Sequence, residues 1–169
     1  ENSWVYRRSS KTPLFDWKDK TRDFIVYGKE RHAPAQAKPS INGYPCQAIR
    51  SKKYLYIRNI FPDRWPAGVP QGATHRIGRF ADCDDGPTKS FLLKNKNQYR
   101  FYYDLSFSKR PAEELYDINK DPFQLVNLAG QKEYQSIQKK LSKEMIRYLK
   151  RNKDPRFVPL GVDFDSCPF

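Results

Sequence analysis

Three thiols, two imidazoles and one cluster of carboxylates are the groups in this chain whose types and spacing bear most directly on chemistry. Cys46, Cys83 and Cys167 permit at most one intramolecular disulfide and leave a thiol over. No Cys-x-x-Cys occurs, and His32 and His75 stand apart in sequence from every cysteine, so the ligands of a tetrahedral zinc site are not gathered by the sequence. Asp82, Asp84 and Asp85 around Cys83 faintly suggest a calcium loop. The twelfth position counted from Asp82 is Leu93, where an EF-hand needs a bidentate Glu, so a polar turn before Pro87 is the preferred reading.

Charge widens the range of partners. Lys and Arg number 32 against 19 Asp and Glu, a net charge of +13 that concentrates anions and speeds their encounter. Nucleic acid, heparin-like glycan and acidic membrane all fit that number, and so does a solvated basic surface with no ligand. Aromatic residues interleave with Lys and Arg from Tyr54 to Arg58 and from Tyr99 to Tyr103, an arrangement that would stack bases beside phosphate contacts. No RNP-like, KH or zinc-knuckle pattern accompanies it, which makes nucleic acid an unlikely partner. No apolar run approaches the ~18 residues of a membrane span, and no apolar leader follows Glu1, so the chain reads as a processed or excised piece.

The elements that would position such groups follow from local pattern. A length of 169 residues suits one domain with one core, and the 15% aromatic share argues against disorder throughout. Residues 1–22 lack a stable period and read as a linker or extended arm. Asp23 to Gly28 is rich in β-formers and reads as a strand. Cys46 to Arg50 and Tyr54 to Arg58 read as a hairpin turning at Ser51-Lys52-Lys53. Leu55 and Ile57 share one face, and Tyr54, Tyr56 and Arg58 the other, one face being core and the other amphipathic.

Residues 60–88 form a long Pro- and Gly-punctuated loop, ordered by Phe61, Arg64, Trp65, Arg76, Arg79 and Phe80. Thr88 is placed to cap a helix over Lys89 to Asn95, and Tyr99 to Phe107 predicts a second short helix or turn. A short strand is expected around Leu115 and Tyr116, then a turn at Asn119 to Pro122. The clearest helix is Lys132 to Lys150, where Tyr134, Ile137, Leu141, Met145, Tyr148 and Leu149 recur at spacings of three and four. Asp154-Pro155 is expected to end it. Together these give an α+β fold: a small four-stranded antiparallel sheet packed against a C-terminal amphipathic helix, with long irregular insertions.

The run Glu-Glu-Leu-Tyr-Asp-Ile-Asn-Lys-Asp-Pro-Phe-Gln-Leu-Val-Asn-Leu-Ala-Gly, Glu113 to Gly130, is the most specific in the chain. It resembles the C-terminal subdomain of sulfatases, where an E-L-Y-D strand, a D-P turn and an N-L-A segment lead into the last helix. Within that family the resemblance is to heparan N-sulfatase (sulfamidase) and its bacterial relatives. It is carried by the order of Val26-Tyr27-Gly28-Lys29-Glu30-Arg31-His32, Tyr44-Pro45-Cys46-Gln47-Ala48-Ile49-Arg50, Tyr54-Leu55-Tyr56-Ile57-Arg58-Asn59, Pro62-Asp63-Arg64-Trp65-Pro66 and Asp84 through Ser90. It runs from about residue 23 to the C-terminus, so 23–169 is expected to be that subdomain.

The resemblance implies hydrolysis of sulfate esters or sulfamates of an acidic glycan by a formylglycine formed from Cys or Ser in a C-x-P/A-x-R motif, with a divalent cation, usually calcium. Cys46-Gln47-Ala48-Ile49-Arg50 fits the shortest form of that motif. It is rejected: it lies in a strand, lacks the Leu-x-Thr-Gly continuation and has no acidic metal-binding cluster beside it. The catalytic domain is therefore expected to be missing from this chain, with no catalytic residue, metal or cofactor of its own. Its partners would be an N-terminal catalytic domain of the same enzyme and a sulfated glycan, in the periplasm or outside the cell.

The loop after the first strand reaches towards the substrate pocket in related enzymes, which makes Arg31 and His32 the first candidates for contacting a sulfated sugar. Arg64, Trp65 and Lys89 are weaker candidates: Trp65 to stack on a sugar ring, Arg64 to pair with an anion. Gln47 stands where several relatives carry Arg, which puts a contact from that position in doubt. The rival reading is a basic polyanion-binding module for nucleic acid or heparin, without catalysis.

Overall fold

Alternation of apolar and polar residues builds the sheet. The computed structural model describes residues 23–30, 36, 42–70, 80–157 and 164–165; the expected arm at 1–22 lies outside the described residues. Strands β1 (Phe24–Lys29), β2 (Cys46–Ser51), β3 (Tyr54–Asn59) and β4 (Glu113–Asp117) form one sheet in that spatial order. β1 pairs antiparallel with β2, and β3 with β4. Ser51 closes the β2–β3 turn, its hydroxyl accepting from the Tyr54 amide at 2.9 Å and donating to the Tyr54 carbonyl at 3.1 Å.

Three helices complete the described elements: α1 (Pro87–Lys94), α2 (Arg100–Phe107) and α3 (Gln135–Arg151), the last preceded by a one-turn 3-10 helix at Lys132–Tyr134. The fold is α+β, as the periodicities predict. By internal contacts, however, the described residues divide into two compact units rather than the single core expected from chain length. The first holds 23–29, 46–58 and 113–157, the sheet with α3; the second holds 30, 36, 42–45, 59–70, 80–112 and 164–165, with α1 and α2.

In the first unit Val26, Ile49, Tyr56 and Leu115 come from the four strands in turn and form one cluster with Met145, Tyr148 and Leu149 of α3. Tyr134, Ile137 and Leu141 pack against it, so the whole predicted helical stripe lies on the sheet. Each large side chain buried there stabilises by roughly 1.5–3 kcal/mol before the entropy of ordering is subtracted.

β3 is not split into a core face and an amphipathic one. Tyr56 is fully buried in the helix-facing cluster, while Leu55 on the other face is buried with Ala48 and Tyr116. Tyr56 tolerates this because its phenol donates to Glu113 Oε1 at 2.5 Å, so the ring is buried without orphaning its hydroxyl.

The outer edge of β4 is closed by side-chain chemistry. Asn127 Oδ1 accepts from the Leu115 amide at 2.9 Å and its Nδ2 donates to the Glu113 carbonyl at 3.2 Å, as a neighbouring strand would. The Leu128 amide adds a bond to the Leu115 carbonyl at 2.8 Å. This explains the Asn-Leu-Ala-Gly segment: it satisfies an edge that would otherwise present unpaired backbone groups. Gly130 then turns the chain at φ 81°, a conformation that suits glycine.

α3 ends at Arg151, one residue beyond the expected Lys150 and before the Asp154-Pro155 pair. Lys153 adopts φ 56°, its amide bonds Lys150 O at 3.1 Å and that of Asp154 bonds Leu149 O at 2.9 Å, the crossed pair of a Schellman stop.

In the second unit Asn59 joins the two ends of the long insertion, bonding Ala112 O through its amide at 2.9 Å and Pro111 O through its side chain at 2.7 Å. Gly86, not Thr88, caps α1, because Pro87 occupies the first helical position, where its fixed φ fits and its missing N–H costs nothing. Phe80, at φ 49°, stacks on Phe107 of α2 with ring centroids 4.4 Å apart. Among the described residues no helix is long and apolar enough to cross a membrane.

Candidate functional site

β1 delivers the chain to the segment that carries the leading candidates. It ends at Lys29, and Glu30 is the last described residue before 31–35, so Arg31 and His32 lie outside the described residues. Gly28, three residues before Arg31, cannot be replaced without rearrangement. A Cβ there would lie 2.3 Å from Gln47 Oε1 and 2.6 Å from the Cys46 carbonyl. Gln47 is 2% exposed and its Oε1 is buried without a hydrogen-bond partner. In the sequence Gln47 stands out only as the position where several relatives carry Arg; its burial and its orphaned acceptor leave no mark there.

Cys46 is the first residue of β2, opposite Lys29, and not at a helix start. It therefore lacks the converging amides and helix dipole that would stabilise negative charge on a modified side chain.

In the second unit Arg64 and Trp65 sit in a turn closed by the Arg64 amide on Phe61 O at 3.0 Å and the Gly68 amide on Trp65 O at 3.3 Å. The Arg64 guanidinium makes a bidentate pair with Asp165, at 2.9 Å from Nη1 to Oδ1 and 2.5 Å from Nη2 to Oδ2. Nη1 also donates to Gly43 O at 3.1 Å, and the cation stacks over the Phe61 ring at 3.9 Å. The fork that recommended Arg64 for an external anion is thus directed at an internal carboxylate.

Trp65 is fixed through its backbone, with Gln36 Nε2 donating to its carbonyl at 2.8 Å and Oε1 accepting from its amide at 3.1 Å. Its half-buried indole lies 5.2 Å from the Lys109 ammonium. An aromatic face beside a cation can accept the apolar face of a sugar together with an acidic substituent. Lys109 had no signal in the sequence, because 44 residues separate it from Trp65 and nothing in its own neighbourhood marks it.

Lys89 is almost completely buried. Its ammonium donates to Phe80 O at 3.4 Å, Cys83 O at 2.7 Å and Asp85 Oδ1 at 2.8 Å. Three N–H groups meet three acceptors of one turn, which pins the strained Phe80 backbone. The acidic cluster that suggested a calcium loop thereby holds an ammonium through Asp85.

The described structure thus brings Trp65 to Lys109, and assigns Arg64 and Lys89 internal carboxylate and carbonyl partners.

No family model matches the chain. Two relatives from Formosa agariphila, each an ulvan-active sulfatase, are similar in sequence. One is 31% identical over 153 residues, covering 86% of this chain and 22% of the relative. The other is 30% identical over 142 residues, covering 84% and 24%. Among solved structures, a candidate sulfatase from Bacteroides thetaiotaomicron VPI-5482 aligns with TM-score 0.46 and 17% identity over 84% of this chain and 19% of that one. A 2-O GAG sulfatase aligns with TM-score 0.43 and 17% identity over 83% and 19%. The chain therefore spans less than a quarter of the length of the sulfatases it resembles in sequence.

Proposed function

We propose that this chain is the C-terminal, substrate-pocket-shaping part of a sulfatase acting on sulfate esters or sulfamates of an acidic glycan. The formylglycine and its calcium would be carried by an N-terminal catalytic domain outside the chain. The observation that supports this most is the similarity to an ulvan-active sulfatase over 86% of the chain but only 22% of the relative. A polypeptide matching so small a share contributes walls and contacts; the strand position of Cys46 agrees with that.

In this reading residues 1–22 are a linker and 23–169 the subdomain, working in the periplasm or outside the cell. Arg31 and His32, two and three residues beyond β1, contact the sulfated sugar. Trp65 offers a ring for a sugar face, and Arg64 and Lys89 support the substrate side by holding the turns around them. Heparan N-sulfatase-like action on sulfamates is the finer assignment. The relatives similar in sequence are ulvan-active, so ulvan and N-sulfated substrates belong in one assay.

In the intact protein, Arg31→Ala and His32→Ala are each expected to raise KM for a sulfated oligosaccharide at least about tenfold, the loss of one charge-assisted contact. Ulvan fragments and N-sulfated heparan fragments serve as the two substrates. Unchanged KM on both would contradict the assignment. The net charge of +13 keeps a second reading open, a basic polyanion-binding module without catalysis. It predicts DNA affinity that falls steeply with salt, with no sulfate release by the intact protein.

A further inference from the structure

The flank of α3 beside the β4 edge is not a uniform basic surface. Beside Glu113 and Gly130, Gln138, Lys139, Ser142 and Lys143 line a groove of about 580 Å³, within the range of small-ligand sites. All of these belong to the first unit.

The floor of the groove is organised. Glu113 Oε1 accepts from the Tyr56 phenol at 2.5 Å, and Glu113 Oε2 accepts from Gln138 Nε2. Gln138 Oε1 accepts from the Gly130 amide at 2.9 Å, which fixes which way its amide points. The phenol keeps its proton because burial, and then the bond to Glu113, raise its pKa, more than the Ser142 hydroxyl lowers it. The carboxylate is therefore locked from both sides as an acceptor, with lone pairs to spare. Lys139 and Lys143, four residues apart on one helix face, stand beside it as neighbouring cations.

A fixed acceptor next to two exposed cations suits a ligand that presents hydroxyl donors and an anionic group together. We infer that this groove binds a short acidic oligosaccharide, its hydroxyls on Glu113 and its sulfate or carboxylate on Lys139 and Lys143. A nucleic acid fits less well: its phosphates would meet the Glu113 carboxylate, and none of the lining residues is aromatic to stack a base. The inference does not depend on the sulfatase reading, since binding is measured on the chain itself.

The test is titration of the 169-residue chain with a heparin-derived tetrasaccharide at about 150 mM salt, where loose surface attraction is screened. Inorganic sulfate and single-stranded DNA of matched charge run in parallel. Lys139→Gln combined with Lys143→Gln is expected to weaken tetrasaccharide binding about tenfold. Glu113→Gln is the decisive variant: hydroxyl recognition predicts weaker binding, whereas bare attraction of a polyanion predicts tighter binding once a negative charge is removed. Amide shifts of Gly130 and Ser142 in the unsubstituted chain report the groove directly, whatever a variant does to folding. Tighter binding by Glu113→Gln, an unaffected lysine pair, silent groove amides, or equal affinity for inorganic sulfate or DNA would each overturn the inference.

Discussion

At the scale of single residues, Arg64 and Trp65 are held by partners far away in sequence, and Lys89 by the turn just before its own helix. Arg64 finds Asp165 across 101 residues, and Gln36 finds Trp65 across 29. No local pattern reports the Arg64 pairing, and nothing in the Asp85-to-Lys89 spacing announces that the ammonium is buried, so both read as candidate ligand contacts in the sequence while their geometry shows internal partners. Asp154 is the converse, a charge with too few partners. It is 1% exposed, its Oδ1 accepts from the Arg156 amide at 3.0 Å, and Oδ2 has no hydrogen bond. Burial, only partly offset by that amide, raises its pKa above the ordinary carboxylate value. A group raised on folding stabilises fully below its unfolded value, near 3.8, and loses that contribution as pH rises through the folded one. At neutral pH the ionised carboxylate therefore costs stability. Asp154→Asn is expected to stabilise by about 1 kcal/mol at pH 7, with the gain gone near pH 3, measured as Tm across pH.

At the scale of elements, legibility followed periodicity. The α3 stripe recurs every three and four residues, and all six of its named residues reach the helix-facing cluster. The strands stood out through β-formers and bounding turns, β1 being displaced by one residue from the expected span. Boundaries set by backbone geometry were hidden: the stop at Lys153 uses a left-handed lysine in place of the usual glycine, and Pro87 displaces Thr88 from the cap. The Asn-Leu-Ala segment was recognisable as a lead-in to the helix, but its task, closing the β4 edge, appears only in three dimensions. Asn127 makes three backbone bonds there, to Leu115, Glu113 and Ala129. Asn127→Ala is expected to destabilise the fold by roughly 2–3 kcal/mol, about 1 kcal/mol per bond, and to speed hydrogen exchange of the Leu115 amide; denaturant melts and exchange rates check both.

At the scale of the whole molecule, the insertion between β3 and β4, held at its root by Asn59, forms a second unit together with residues 30, 36, 42–45 and 164–165. Chain length alone suggested one core, since length cannot reveal where a sheet is interrupted. The division assigns separate tasks: the sheet and α3 form a scaffold, while the insertion carries Trp65 and Lys109. The reactive centre, in the proposed reading, belongs to neither unit. Sulfate release from one sulfated oligosaccharide, measured side by side for the intact protein and for this 169-residue polypeptide, tests that most directly. Release by the intact protein and none by the polypeptide is the expected result. Release by the polypeptide alone, abolished by Cys46→Ala, would contradict it.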